Sequence, residues 1–128
     1  MKCIAYIAIA GFAAGASAQV IDFEVLQHSD SGTADHGYTY QEDGFTVFHS
    51  TSEPFGFASW GTASSNYPGS TALFNNTVGG VNEFVKDDGA AFNLTSIDLA
   101  TLFNGGGAVT VTFSGFLSGN LVATQAFT

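Results

Sequence analysis

Residues 108–127 read AVTVTFSGFLSGNLVATQAF, and the fold class is decided there. Val109, Val111 and Phe113 fall on one side of an extended chain, and Thr110, Thr112 and Ser114 on the other. A period of two belongs to a strand with one face on a core and one in water, as in an antiparallel sheet. Ser118-Gly119-Asn120 then predicts a turn, and 121–127 a returning strand. Before the stretch, Asn104-Gly105-Gly106-Gly107 can supply the positive φ angles of another hairpin turn. Further upstream the alternation changes phase: Phe92 and Leu94 are in step, then Ile97 and Leu99. A bulge at Thr95-Ser96 accounts for the change.

Working outward, the same signature recurs. Short runs rich in Val, Phe and Thr predict strands at 20–25, 44–49, 55–60, 71–75 and 81–85. The strand at 44–49 is entered through the turn Glu42-Asp43-Gly44. Polar stretches at 27–37 and 61–70 read as loops. Beyond residue 18, no segment has apolar residues at helical spacing over about ten positions. The pattern predicts an all-β, antiparallel β-sandwich or jelly roll, with a barrel as the alternative. Residues 19–128 are one domain's worth of chain.

The first eighteen residues read differently. Met1 and Lys2 give a positive start, 4–14 is apolar, and Ala16-Ser17-Ala18 offers small residues to a signal peptidase. This predicts a Sec-type signal peptide over 1–18, cleaved after Ala18. The apolar run is short of the about 20 residues of a membrane span, so the mature chain is not expected to be membrane-embedded; an uncleaved anchor is the alternative. Cys3, the single cysteine, lies before the apolar run and would leave with the leader. The mature chain then has no disulfide, thiol nucleophile or thiolate metal site. Lys86 is its one base against eleven carboxylates. Nucleic acid and anionic membrane surfaces, which need clustered Lys or Arg, are poor partners, and no nucleic-acid partner is expected. The acidity reads as solubility charge, with spare carboxylates for calcium as the alternative.

IDFEVL at 21–26, DGFTV at 43–47, YPGSTALFNN at 67–76 and AFNLTSIDLATLF at 91–103, followed by AVTVTFSG, together resemble a family. It is the exported bacterial proteins that carry a PEP-CTERM or VPLPA-type sorting tail. The resemblance covers nearly all of the chain after the leader. It implies a galactose-binding-like jelly roll in the envelope or matrix of a Gram-negative bacterium that makes exopolysaccharide. It also implies adhesion or exopolysaccharide association as the role. Such proteins continue into more strands, a Pro-Glu-Pro-type motif, a membrane helix and basic residues. None of these follows Thr128, so the domain is expected to be truncated, with simple secretion as the alternative.

Jelly rolls of this resemblance hold a structural calcium between a first-strand carboxylate and a last-strand Asp. Here that implies Asp22 and Glu24, which a first strand over 20–25 would present on one face, in an incomplete site because the last-strand Asp is absent. The competing reading is an acidic solvent face. Calcium takes six to eight oxygens, for which carboxylates and backbone carbonyls suffice. Trp60 and Tyr67 flank a Ser- and Gly-rich loop and are the candidate carbohydrate platform, because sugar rings stack on flat aromatic faces. The competing reading puts Trp60 in the core. His28, His36 and His49 match no zinc spacing. The loop 30–35 lacks EF-hand spacing, and Asp87-Asp88-Gly89 reads as a solvated turn. No G-x-S-x-G, phosphate loop or G-x-G-x-x-G occurs. The expectation is therefore a non-catalytic protein, with a calcium-dependent carbohydrate-binding module as the alternative.

Overall fold

The computed structural model describes residues 7–10, 18–50, 56–76, 80–102 and 107–128. The strands are β1 (Ile7–Ala10), β2 (Gln19–Ile21), β3 (Thr33–Gly37), β4 (Thr39–Glu42), β5 (Phe45–His49), β6 (Phe57–Trp60), β7 (Phe74–Asn75), β8 (Asn82–Lys86), β9 (Asn93–Ile97), β10 (Val111–Leu117) and β11 (Asn120–Phe127). They form three three-stranded sheets, β2-β1-β9, β3-β6-β7 and β4-β5-β8, and one hairpin, β10-β11. Every pairing is antiparallel. The arrangement is all-β, with sheet packing of the β-sandwich kind.

The sheet β4-β5-β8 shows how sequence sets the core. Asp43 and Gly44 both take positive φ, 49° and 77°, and close a two-residue turn between Glu42 and Phe45. That geometry matches the twist of the strands it joins. Alternation then sends Phe45, Val47 and His49 inward, while Phe48 stays exposed. Val47 lies opposite Tyr40 on one side and Phe84 on the other. Ile21, Phe23, Tyr40, Phe45, Val47 and Phe57 make the buried cluster, with Leu26, Leu73, Phe84, Phe92 and Ile97 packed around it. Phe92 meets Phe45 edge to face at 5.2 Å. Such pairs add about 0.5–1.5 kcal/mol beyond the area they bury.

The predicted first strand ends early. β2 stops at Ile21, Phe23 turns to φ 59°, and a 3-10 turn takes Glu24–Leu26. Asp22 and Glu24 therefore do not share a strand face. Three groups hold the turn: Asp22 Oδ1 accepts the Glu24 N–H at 3.0 Å, Glu42 Oε2 accepts the Phe23 N–H at 3.2 Å, and the Phe23 ring packs on Tyr40 at 5.3 Å. A left-handed residue other than Gly costs about 1–2 kcal/mol, which burial of the Phe23 ring offsets.

Within the expected loop 27–37 lies β3, whose polar sequence TADHG hides its pairing with β6. Elsewhere the correspondence is closer. In β9, Ser96 and Leu94 pair with successive residues of β1, leaving Thr95 as the extra residue where the alternation changes phase. Ser118 and Gly119 take positive φ between Leu117 and Asn120, as the turn signal predicts. Val109 falls before β10 and is exposed. The expected turn at 104–107 lies outside the described residues except for Gly107, as do Phe55 and most of 1–18. β1, within the segment expected to be a leader, is the middle strand between β2 and β9. Among the described residues no helix is long and apolar enough to cross a membrane.

Candidate functional site

The turn at Phe23 aims Glu24 away from its own strand and toward a loop distant in sequence. Thr71 donates its N–H to Glu24 Oε1 at 2.9 Å and its hydroxyl to Oε2 at 3.2 Å. Gln27 Nε2 adds a bond to Oε2 at 2.8 Å and also reaches the Tyr67 hydroxyl at 3.2 Å. Thr71 is fully buried and Ser70 nearly so. A carboxylate accepting several donors in such a place forms charge-assisted bonds, about twice as strong as neutral ones. Glu24 thus anchors one end of the Ser- and Gly-rich loop.

Backbone bonds fix the other end. The N–H groups of Gly61, Thr62 and Ala63 donate to the carbonyls of Gly32, His28 and Asp30 at 3.0, 2.8 and 3.2 Å. Two turns follow, Ser64 N–H to the Gly61 carbonyl at 2.9 Å and Tyr67 N–H to the Ser64 carbonyl at 3.1 Å. Gly61 lies so close to the Asp30 carbonyl that a Cβ would collide with it. The absence of a side chain at 61 is therefore a packing requirement, not a matter of flexibility.

The two predicted ligand aromatics have different neighbours. Trp60 ends β6 half-buried, its ring tilted 31° to Phe74 at 5.7 Å. Tyr67 is half-buried and tied through its hydroxyl to Gln27. Thr62, Ala63 and Ser65 are exposed between them, and Gly69 just beyond Tyr67. The result is a pinned loop with hydroxyl and amide groups at its surface and an aromatic at each end.

Of the predicted calcium carboxylates, Glu24 has both oxygens engaged by Thr71 and Gln27. Asp22 lies instead beside Glu42, which also accepts the Tyr40 hydroxyl at 3.0 Å. Glu42 is on the inward side of β4, so burial raises its pKa; bonds from Phe23 and Tyr40 oppose this, and the Asp22 charge adds to it. Tyr40 is raised as well, by burial first and then by Glu42. Among the described residues no three His, Cys, Asp or Glu side chains are grouped to hold a metal ion.

A histidine arrangement that the spacing did not reveal sits under the loop. His36 Nε2 lies 2.8 Å from Ser59 Oγ, and His28 Nε2 lies 3.4 Å from the Ser59 carbonyl oxygen. His28 Nδ1 is also 3.1 Å from Asp30, at ion-pair distance without hydrogen-bond alignment. Burial, followed by the neighbouring His28, lowers the His36 pKa, and Asp35 opposes this. Ser59 is fully buried, and Asp35 Oδ1 accepts the Gly37 N–H at 2.7 Å rather than orienting His36. The Ser–His contact joins β3 to β6. His49 is separate, edge-on to Phe57 at 5.4 Å.

No protein-family model, curated protein or solved structure matches the chain.

Proposed function

We propose that the protein is an exported, non-catalytic domain of the cell surface or extracellular matrix, with a jelly-roll, galactose-binding-like sandwich. It associates with exopolysaccharide or another carbohydrate through the loop 61–70. The observation that carries the reading is the double anchoring of this loop, by Glu24 on one side and the 28–32 backbone on the other. A loop ordered before binding loses little conformational entropy when a ligand arrives. Its hydroxyls and amides suit sugar hydroxyls, and Tyr67 and Trp60 offer aromatic surface beside them. The leader-like 1–18 and the resemblance to sorted bacterial proteins support export.

The test is affinity electrophoresis of the exported protein through gels holding purified bacterial exopolysaccharides, alongside a glycan array. Retardation that weakens at least about tenfold in Tyr67→Ala, a loss of about 1.4 kcal/mol, supports the reading. Mobility unchanged in every polymer, with no array signal, rejects it. A panel of chromogenic glycosides and esters tests the absence of turnover directly.

A calcium-dependent version of the same reading draws on Asp22 rather than Glu24. The Asp22–Glu42 carboxyl pair would be relieved by a cation, since like charges in one place disfavour each other. Sugar binding lost in EDTA and restored by calcium chloride would favour that version. Binding indifferent to both would remove it.

A further inference from the structure

Two features outside the loop belong together. β1 is the ladder partner that the structure gives to both β2 and β9, and it lies within the segment read as the leader. Removal of 1–18 would strip both strands of that partner. The hairpin β10-β11, meanwhile, pairs within itself, and among the described residues no strand pairs with the other edge of β10. It exposes Phe116, Leu117, Leu121, Val122 and Phe127. A lone two-stranded hairpin is marginal in water, and a third strand stabilises it.

We propose that, once the leader is gone, this other edge of β10 takes the edge of β9 that β1 occupies, giving an antiparallel β9-β10-β11 meander. The exchange requires cleavage at Ala18, as in the export reading above.

Three observations favour this occupant. First, β9 and β10 are consecutive strands joined by residues 98–110, and consecutive strands are usually neighbours. Second, neither edge is guarded: no charged residue occurs in 93–97 or in 107–128. Exposed edges are normally blunted by charge, and these read as edges meant to be paired. Third, β10 has a one-sided apolar strip. Val111 and Phe113 are half-buried, as is Gly115 on the same side, with Phe127 meeting Phe113 at 5.8 Å. Placed beside β9, that strip would continue the core surface that Phe92 and Ile97 already cover. A second copy could present the same uncharged edge. The tether, however, holds β10 at an effective concentration near the millimolar range, about a thousandfold above a micromolar partner.

The experiment uses the chain exported with its own leader, its N-terminus read by intact mass and its contacts by nuclear Overhauser spectra. Paired antiparallel strands bring opposing Cα atoms to about 4.5–5.5 Å, close enough for cross-strand Hα contacts. Mass corresponding to Gln19 at the N-terminus, with contacts between 93–97 and 111–117, supports the exchange. The same mass with no such contacts overturns it and leaves the export reading standing. Contacts seen only between differently labelled copies also overturn it, in favour of a dimer. Retention of 1–18 after export overturns both the leader reading and the exchange. Chain produced without export, which keeps 1–18, should lack the β9–β10 contacts; their presence there would show that β1 does not hold the edge.

Discussion

Replacing Glu24 by Ala tests the anchoring of the loop. Three bonds end on its carboxylate, from the Thr71 N–H, the Thr71 hydroxyl and Gln27 Nε2. Thr71 is fully buried, so its N–H would be left without an acceptor, at about 1–3 kcal/mol. Gln27 is exposed and can turn to water, so its bond adds little. The expected loss is about 2–4 kcal/mol, since bonds to an ionised group exceed the neutral range. In a domain of this size that lowers Tm by on the order of 10 °C. Glu24→Gln keeps one carbonyl oxygen for the Thr71 N–H but presents an amide to a donor, and should lose only about 1 kcal/mol. The assay is urea unfolding followed by the fluorescence of Trp60, the single tryptophan, which adjoins the loop. A double-mutant cycle with Thr71→Ala should return a coupling of about 1 kcal/mol or more. If Glu24→Ala stays within about 0.5 kcal/mol of the parent, as surface substitutions do, the carboxylate does not hold the loop. The binding reading would then lose its structural support.

Other substitutions probe the rest of the framework. Gly61→Ala should destabilise the chain and weaken sugar binding together, because the new Cβ meets the Asp30 carbonyl; unchanged thermal unfolding would show that the close approach is not real. Glu42 binds its proton more tightly in the folded chain, so stability should fall as pH rises above the ordinary glutamate value of 4.5, and Glu42→Gln should flatten that fall in urea titrations across pH. His36, with its lowered pKa, should contribute the opposite slope: stability is lost as pH falls below 6.5, and a His36→Asn variant should lack that component. Phe57→Ala removes a fully buried ring and should cost about 3–5 kcal/mol by chemical unfolding; a loss below 1 kcal/mol would contradict its place in the core.

Periodicity and turn chemistry are local, and what they encode was legible in the sequence. The alternation of Val111 and Phe113 with Thr112 and Ser114, the Asp43-Gly44 and Ser118-Gly119 turns and the phase change at Thr95 all follow from neighbours along the chain. They determine an all-β, antiparallel chain and the turn positions. Tertiary structure decided what depends on residues far apart. IDFEV alternates like a strand, yet Phe23 leaves the strand because Glu42, nineteen residues on, accepts its N–H and Tyr40 covers its ring. Glu24 then finds its partner 47 residues away at Thr71, which no spacing rule could indicate. β3 carries little apolar signal, and what places it is backbone pairing with β6 and the His36–Ser59 contact. Hydrogen-bond acceptors and buried rings can override local preference because an unpaired buried N–H costs more than the difference between one backbone conformation and the next.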